Sequence, residues 1–459
     1  MFPIITNHPL LSRWKRRFKH GVYLPDEKDD TCGLPIRHFD FPPVLVVPLS
    51  QSLGKPALAT VVEGQEVTRG EVIAVPDGFL SVAIHAPATG RVRRIGHSPT
   101  IQGRVKTAIF IEPYPGSTQE IVTDTPCDLL QCSSSQIIDA IQHAGIVGLG
   151  GAGYPTHAKL RIPEGKSVDC IVINGAECEP YLTCDHRVML ECPQDVIKGA
   201  EYLMAASGAP RTIIAIEANK ADAADALRRE IVDGSPIQVK ILDVKYPQGA
   251  EKILIESVLG RRIGHGLLPI DVGALCFNVA SAAEVGRLLP IGSGLVDRVI
   301  TVAGPAVRKK GNYRIPIGTP LRFVLETVGL TEDVSLVFLG GPMMGQSVSS
   351  LDIPICKNTT AVIAFGDTHA RRVTRPRQMP CIHCGFCVDA CPIFLNPSQL
   401  GLLAQQHHYD TMVQQFNLLD CFECGCCTYV CPSHIPLVQY FRVAKAAVKK
   451  ERLNAAESA

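Results

Sequence analysis

Eight cysteines near the C-terminus carry the clearest chemistry in the chain. Cys381, Cys384, Cys387 and Cys391 follow the spacing CxxCxxCxxxCP, and Cys421, Cys424, Cys427 and Cys431 repeat it. Thiolates at such short intervals can cover three corners of an iron–sulfur cubane, while the cysteine before proline reaches across a pseudo-twofold axis to the neighbouring cluster. The spacing therefore predicts two [4Fe–4S] clusters. One takes Cys381, Cys384, Cys387 and Cys431; the other takes Cys421, Cys424, Cys427 and Cys391. Four-sulfur zinc is the alternative, but zinc sites pair two separated CxxC units rather than repeating a triple. Cys426 falls outside the spacing and reads as a spectator thiol beside Cys427. The chain is expected to move electrons.

A second set of residues could hold a phosphate. Five of the nine residues from Gly145 to Gly153 are glycine, and Gly148-Leu-Gly150-Gly151-Ala-Gly153 satisfies GxGxxG. The dinucleotide fingerprint requires a strand before that loop and a helix directly after it. Here a helical pattern precedes it and Tyr154-Pro155 follows, so an ordinary Rossmann turn is excluded on context. Bare backbone can still bring N–H groups close to a phosphate, with Lys159 as a counter-charge. The competing reading is an unliganded turn.

Composition bounds the rest. At 459 residues the chain should hold several domains, and a net charge of +1 gives no broad case for nucleic acid. Of eighteen cysteines, nine lie between Cys381 and Cys431 and the others are scattered from Cys32 to Cys356, which suits a reducing compartment better than a disulfide framework. Pro3–Leu11 is only weakly apolar and is followed by the basic Arg13–Lys19, unlike a signal peptide. No apolar run reaches the length of a bilayer span. Ile435–Leu453, with Leu437, Phe441 and Val448 against Arg442, Lys445, Lys449 and Lys450, reads as a solvated amphipathic terminal helix, with a membrane-surface helix as the alternative.

The elements that position these residues fall into blocks. Residues 1–40 read as an irregular extension. From 41 to 115, short strands (Ala59–Val62, Glu66–Thr68, Glu71–Val75, Ser81–His85, Gly90–Ile95, Ala108–Ile111) predict a small all-β unit. From 134 to 290 the texture is α/β: helices at Ser134–Ala144, Asp195–Ala206, Lys220–Val232 and Ala250–Leu259 alternate with strands at Val168–Ile173, Thr212–Ile216 and Val239–Val244, predicting a layered domain with parallel sheet. From 296 to 347, Val296–Ala303, Gly311–Ile317, Thr319–Val328 and Ser335–Leu339 predict strands around one helix, either a compact β-grasp module or the tail of the α/β domain. Thr359–Phe365 adds a strand. The basic linker Arg371–Arg377 leads into a cluster domain over 367–440, and a tail covers 441–459.

Several of these blocks resemble known families. Val62–Ile73 and Ala86–Val92 resemble the barrel-sandwich hybrid of biotinyl and lipoyl carriers, but Pro76-Asp-Gly-Phe-Leu-Ser-Val82 lacks the lysine of a swinging arm, which implies a scaffold. Gly148–Thr156, Lys159, Asn174-Gly-Ala-Glu177-Cys-Glu179-Pro180, Tyr246-Pro-Gln-Gly-Ala-Glu251 and Phe277-Asn278-Val279 resemble the flavin- and NADH-binding subunit of respiratory complex I. Ala176 stands where that family commonly has an acidic residue. Arg298–Gly329 resembles its β-grasp (SLBB) domain. The barrel-sandwich block, the two cysteine runs and Cys431-Pro-Ser-His-Ile-Pro-Leu-Val-Gln-Tyr-Phe-Arg442 together resemble the RnfC family, the C subunits of Rnf electron-transport complexes, over nearly the whole chain.

The resemblance implies FMN held by Gly148, Gly150, Gly151, Gly153, Tyr154, Lys159, Asn174, Glu177 and Asn278. It implies that Glu179 and Glu251 face the nicotinamide nucleotide. A flavin is chemically needed, because NADH gives a hydride while a cluster takes one electron. The implied function is a peripheral, NAD(H)-linked oxidoreductase subunit on the cytoplasmic face of the bacterial inner membrane. Its partners would be integral-membrane subunits and a cluster-bearing subunit, with ferredoxin engaged indirectly, in a complex that couples electron transfer to ion translocation. A soluble flavin–iron–sulfur diaphorase subunit and an electron relay that binds no nucleotide are the alternatives.

Overall fold

The computed structural model describes residues 18–101, 103–367 and 377–457. The stretch Pro3–Leu11 and most of the basic linker Arg371–Arg377 lie outside the described residues.

Two small antiparallel sheets make the first β unit. Leu45–Pro48, Val105–Pro113, Gly90–Pro99 and Glu66–Val67 lie side by side in that order; Leu58–Ala59, Val72–Val75 and Ile84–His85 form the other. Strand alternation turns Leu45, Val47, Val67, Ile73, Val92, Ile109 and Ile111 into one core between them. The hairpin without a lysine is used as a contact instead: the carbonyl of Phe79 hydrogen-bonds His157 Nε2 at 2.8 Å, on the helix Thr156–Leu160.

The α/β unit is built on four parallel strands in the order Ile237–Leu242, Thr212–Glu217, Cys170–Gly175, Ala274–Asn278. Three of its strands, Thr212–Glu217, Cys170–Gly175 and Ala274–Asn278, bury both faces, as parallel sheets do. Ile171, Ile173, Ile214 and Ile216 point to one core, and Cys170, Val172, Ile213 and Ala215 to the other. Local signals set the helices. Ser133 and Gln136 form a capping box before Ser134–His143, and Pro193–Ser207 starts on proline and stops at a left-handed Gly208. Helices Cys184–Glu191 and Val279–Leu288 were not expected from periodicity; both follow strand ends whose sequence reads as loop.

The third unit is a six-stranded sheet ordered Ile36–His38, Gly311–Pro316, Asp297–Ala303, Ala361–Gly366, Val334–Leu339, Gln346–Ser347, with the helix Leu321–Val328 packed on it. The irregular reading of residues before 41 is corrected here for the described part. Ile36–His38 pairs in parallel with Gly311–Pro316, and Asp29–Cys32 is a short helix. A three-residue strand gives too little alternation to be read from sequence. Just before it, the buried Lys28 donates to the carbonyls of Glu177, Glu179 and Leu182, tying this segment to the α/β unit.

The cluster unit repeats itself with a shift of 421 − 381 = 40 positions. Phe386–Asp389 answers Cys426–Tyr429, and Pro397–Gln405 answers the start of Leu437–Glu457. Backbone conformation repeats too: φ is +54° at His383 and +61° at Glu423, +81° at Gly385 and +84° at Gly425, and +59° at Phe394 and +51° at His434. These left-handed turns curl each cysteine run around a point. The terminal helix buries Leu437, Phe441 and Val448, while Arg442 and Lys445 pair with Glu423 rather than lining a free basic face. None of the described helices is long and apolar enough to cross a membrane.

Candidate functional site

The parallel sheet reverses its strand order between Cys170–Gly175 and Ala274–Asn278, so a crevice opens at their carboxyl ends. Asn174 and Asn278 are partners in register there, side by side at the carboxyl ends of the two strands. Asn174 Oδ1 accepts the Ala176 amide at 3.0 Å and Nδ2 donates to the Gly249 carbonyl at 2.8 Å. Asn278 caps the helix Val279–Leu288 through Oδ1, and its Nδ2 donates to Asp185 Oδ2 at 2.6 Å.

The glycine loop closes over this crevice. Its ends meet through Gly148 N–H to Tyr154 O (2.8 Å) and Gly153 N–H to Gly148 O (3.0 Å), while Gly150, Gly151 and Ala152 at the tip are exposed. A Cβ on Gly150 would sit 3.0 Å from Asn278 Nδ2, so the loop lies directly against that amide. Gly151 has φ +106° and open space beyond it. Tyr154, half-buried, closes the loop.

Lys159 reaches in from the Thr156–Leu160 helix, 2.8 Å from Glu251 Oε1 and 2.9 Å from the Cys276 carbonyl, with the Phe277 ring 5.8 Å away. Burial opposes its charge, but the Glu251 carboxylate, with smaller help from Cys276 and Tyr154, offsets burial and holds Lys159 above the ordinary lysine range. Glu251 opens the helix Glu251–Leu259. Asn174, Asn278, the loop, Lys159 and Glu251 are thus brought together.

Glu177 and Glu179 have other settings. Glu177 is buried and accepts the amides of Asp185 (2.9 Å) and His186 (3.3 Å) at the start of Cys184–Glu191. Glu179 accepts the amides of Met343 (3.0 Å) and Met344 (2.7 Å), beside the cluster unit. Burial raises the Glu179 carboxyl to about 7 despite those two hydrogen bonds. Sequence reasoning missed Asp185. Burial and the neighbouring Glu177 carboxylate raise it to about 7 as well, and nothing short of the fold reveals that neighbour.

Two cavities mark the cluster unit. One of about 530 Å³ is lined by Cys381, Cys384, Cys387 and Cys431. A narrower one of about 20 Å³ is lined by Cys391, Cys421, Cys424 and Cys427, and by Cys426. Each offers four thiols, the donor set a cubane needs. The narrower site abuts the switch-point crevice: Tyr246, from the corner that leads to Glu251, donates its hydroxyl hydrogen to the Cys424 carbonyl at 2.6 Å. Asp420 takes Lys252 at 3.1 Å and His265 at 2.6 Å across the same seam. The wider site lies at the surface, with Cys384 exposed and Ile382 and Phe386 exposed beside it.

Four stretches of the chain match known domain families. Residues 16–114 match the RnfC barrel sandwich hybrid domain, 141–287 the Nuo51 FMN-binding domain, 299–347 the SLBB domain and 380–435 the 4Fe-4S dicluster domain. The chain is 37% identical over 436 residues to the C subunit of the Na(+)-translocating ferredoxin:NAD(+) oxidoreductase complex of Acetobacterium woodii, covering 95% of this chain and 98% of that one. It is 38% identical over 432 residues to the C subunit of the proton-translocating ferredoxin:NAD(+) oxidoreductase complex of Clostridium ljungdahlii, covering 94% of each. The C subunit of the ion-translocating oxidoreductase complex of Pseudomonas aeruginosa is 38% identical, but the match spans 56% of that longer protein. A crystal structure of an NAD+-reducing [NiFe]-hydrogenase shares the fold over 71% of this chain and 67% of that one, with TM-score 0.51 and 18% identity.

Proposed function

The chain belongs to the RnfC family, the C subunits of ion-translocating ferredoxin:NAD(+) oxidoreductase complexes, and from that premise we propose how its residues divide the work. It is an NAD(H)-linked oxidoreductase subunit that carries FMN and two [4Fe–4S] clusters. FMN supplies the exchange between the electron pair of a hydride and the single electrons a cluster accepts. The exposed amides of Gly150 to Ala152 receive its phosphate or ribityl chain, Asn174 and Asn278 bind polar atoms from the sheet edge, and Lys159 adds positive charge held in place by Glu251. Glu251 and Tyr154 flank the nicotinamide nucleotide. Glu177 and Glu179 support the crevice wall through the backbone amides they accept.

The observation that carries the reading is the continuity from the switch-point crevice through Tyr246 to Cys424. It makes the Cys391/Cys421/Cys424/Cys427 site the inner one and the Cys381/Cys384/Cys387/Cys431 site the outer one, facing a cluster-bearing partner. The subunit works at the cytoplasmic face of the membrane, held by integral-membrane partners, and reaches ferredoxin only through them. Net charge +1 provides no counterpart for nucleic acid. The test is NADH-dependent ferricyanide reduction by the flavin- and cluster-replete chain. Activity is expected from this subunit alone, and ferredoxin reduction from NADH is not. An inactive replete chain would leave only the relay role.

A further inference from the structure

Arg298 is only 1% exposed and pairs with no carboxylate among the described residues. A buried guanidinium stays charged, and leaving it without a counter-charge is costly. Its Nη2 donates to the Leu149 carbonyl at 2.8 Å and to the Thr359 carbonyl at 3.3 Å, and its Nε has no partner. The carboxylates whose charge it feels are engaged elsewhere: Glu284 with Arg287, and Asp185 with Asn278.

The glycine loop shows what this charge does. Four alternate carbonyls of the loop are tied back into the protein: Val147 by Ser281 Oγ (3.1 Å), Leu149 by Arg298, Gly151 by Asn358 Nδ2 (3.3 Å) and Gly153 by the Leu53 amide (3.0 Å). In a planar trans peptide the N–H points opposite to the C=O. Tying back Leu149 O and Gly151 O therefore turns the amides of Gly150 and Ala152 outward, on the exposed tip. The donors come from three parts of the chain, so the loop's polarity is imposed by domain assembly. Arg298 sits behind the first of these peptides, aligned with its dipole, and adds a full positive charge on the inner side of an amide cradle.

We propose that Arg298, contributed by the β-grasp sheet, is the residue that makes the glycine loop select a phosphorylated flavin over an unphosphorylated one. It acts through the Leu149–Gly150 peptide and is a positioning residue, while its charge makes the cradle prefer an anion. The inference rests on the FMN reading of the loop and adds the source of its phosphate preference.

The experiment uses the full chain with clusters intact and flavin removed, titrated separately with FMN and riboflavin by fluorescence quenching. The parent should bind FMN much more tightly than riboflavin. Arg298→Met should weaken FMN at least about tenfold while riboflavin stays within about twofold, with circular dichroism and iron content unchanged. Equal weakening of both flavins, or no change in either, overturns the proposal. Should Arg298→Met fail to fold, Arg298→Lys decides: it keeps the charge, so a retained FMN-to-riboflavin ratio supports the proposal and a lost ratio overturns it. Gly151→Val separates this from the underlying reading. If that variant binds FMN normally, the loop is not the flavin site, whatever Arg298 does.

Discussion

The hydroxyl of Tyr246 and the carbonyl of Cys424, 2.6 Å apart, join the corner of the switch-point crevice to the backbone of the second cysteine run. Tyr246 is almost wholly buried and packs with Val22, Ala390 and Cys426 in one apolar cluster, alongside Cys178 and Met343. Packed contact of this kind fixes the separation of the crevice corner and the second cysteine run. Tyr246→Phe keeps the ring and removes one hydrogen bond, so it should cost about 1 kcal/mol of stability. Iron and FMN content should stay at parent levels. Potentiometric titration should show one cluster potential shifted and the other unchanged, because only the inner site loses a backbone partner.

The iron content follows from the two cavities. The parent chain should hold about eight iron, and Cys384→Ser about four, with the inner cluster intact. Cys426 lines the inner cavity but lies outside the repeated spacing. Cys426→Ala should therefore retain about eight iron by chemical assay. Complete loss of iron in that variant would redraw the ligand set.

Gly151 takes φ +106°, a conformation that L side chains rarely adopt. A β-branched residue there must rebuild the loop tip, so Gly151→Val should lower bound FMN to a small fraction of the parent value while iron stays unchanged. Acid precipitation followed by flavin fluorescence of the supernatant reads this directly.

Much of this was legible in the sequence, for reasons that differ by residue. Cluster ligation depends on local spacing, so the two cysteine runs can be paired from the sequence alone. The strands with buried faces declared themselves as apolar runs, such as Thr212–Glu217. Asn174 and Asn278 are far apart in sequence, and only the strand order, which places them in register, reveals them as neighbours. Arg298 and Asp185 were invisible as site residues because burial and neighbouring charge are tertiary properties. Glu179 was expected beside the nucleotide; its two oxygens accept the amides of Met343 and Met344, neighbours that the sequence does not reveal.

That setting has a pH consequence. Burial raises the Glu179 carboxyl from 4.5 to about 7 in the folded chain. The folded state thus binds this proton more tightly than the unfolded state. Its stabilising contribution is fully present below pH 4.5 and is lost as pH rises through about 7. Urea unfolding between pH 5 and 8 should show a falling component that Glu179→Gln lacks. A parallel slope in both proteins would place the titration elsewhere.

The most direct test of the account is the order in which the two sites become reduced. Full chains with FMN are mixed with NADH and frozen at millisecond intervals for electron paramagnetic resonance. In Cys384→Ser, which keeps the inner site, the remaining cluster should be reduced at the parent rate. In Cys424→Ser, which keeps the outer site, the remaining cluster should be reduced at least about tenfold more slowly, since the inner cluster its route runs through is gone. The reverse order, with the outer cluster reduced at the parent rate when the inner one is missing, would contradict the path proposed for this chain.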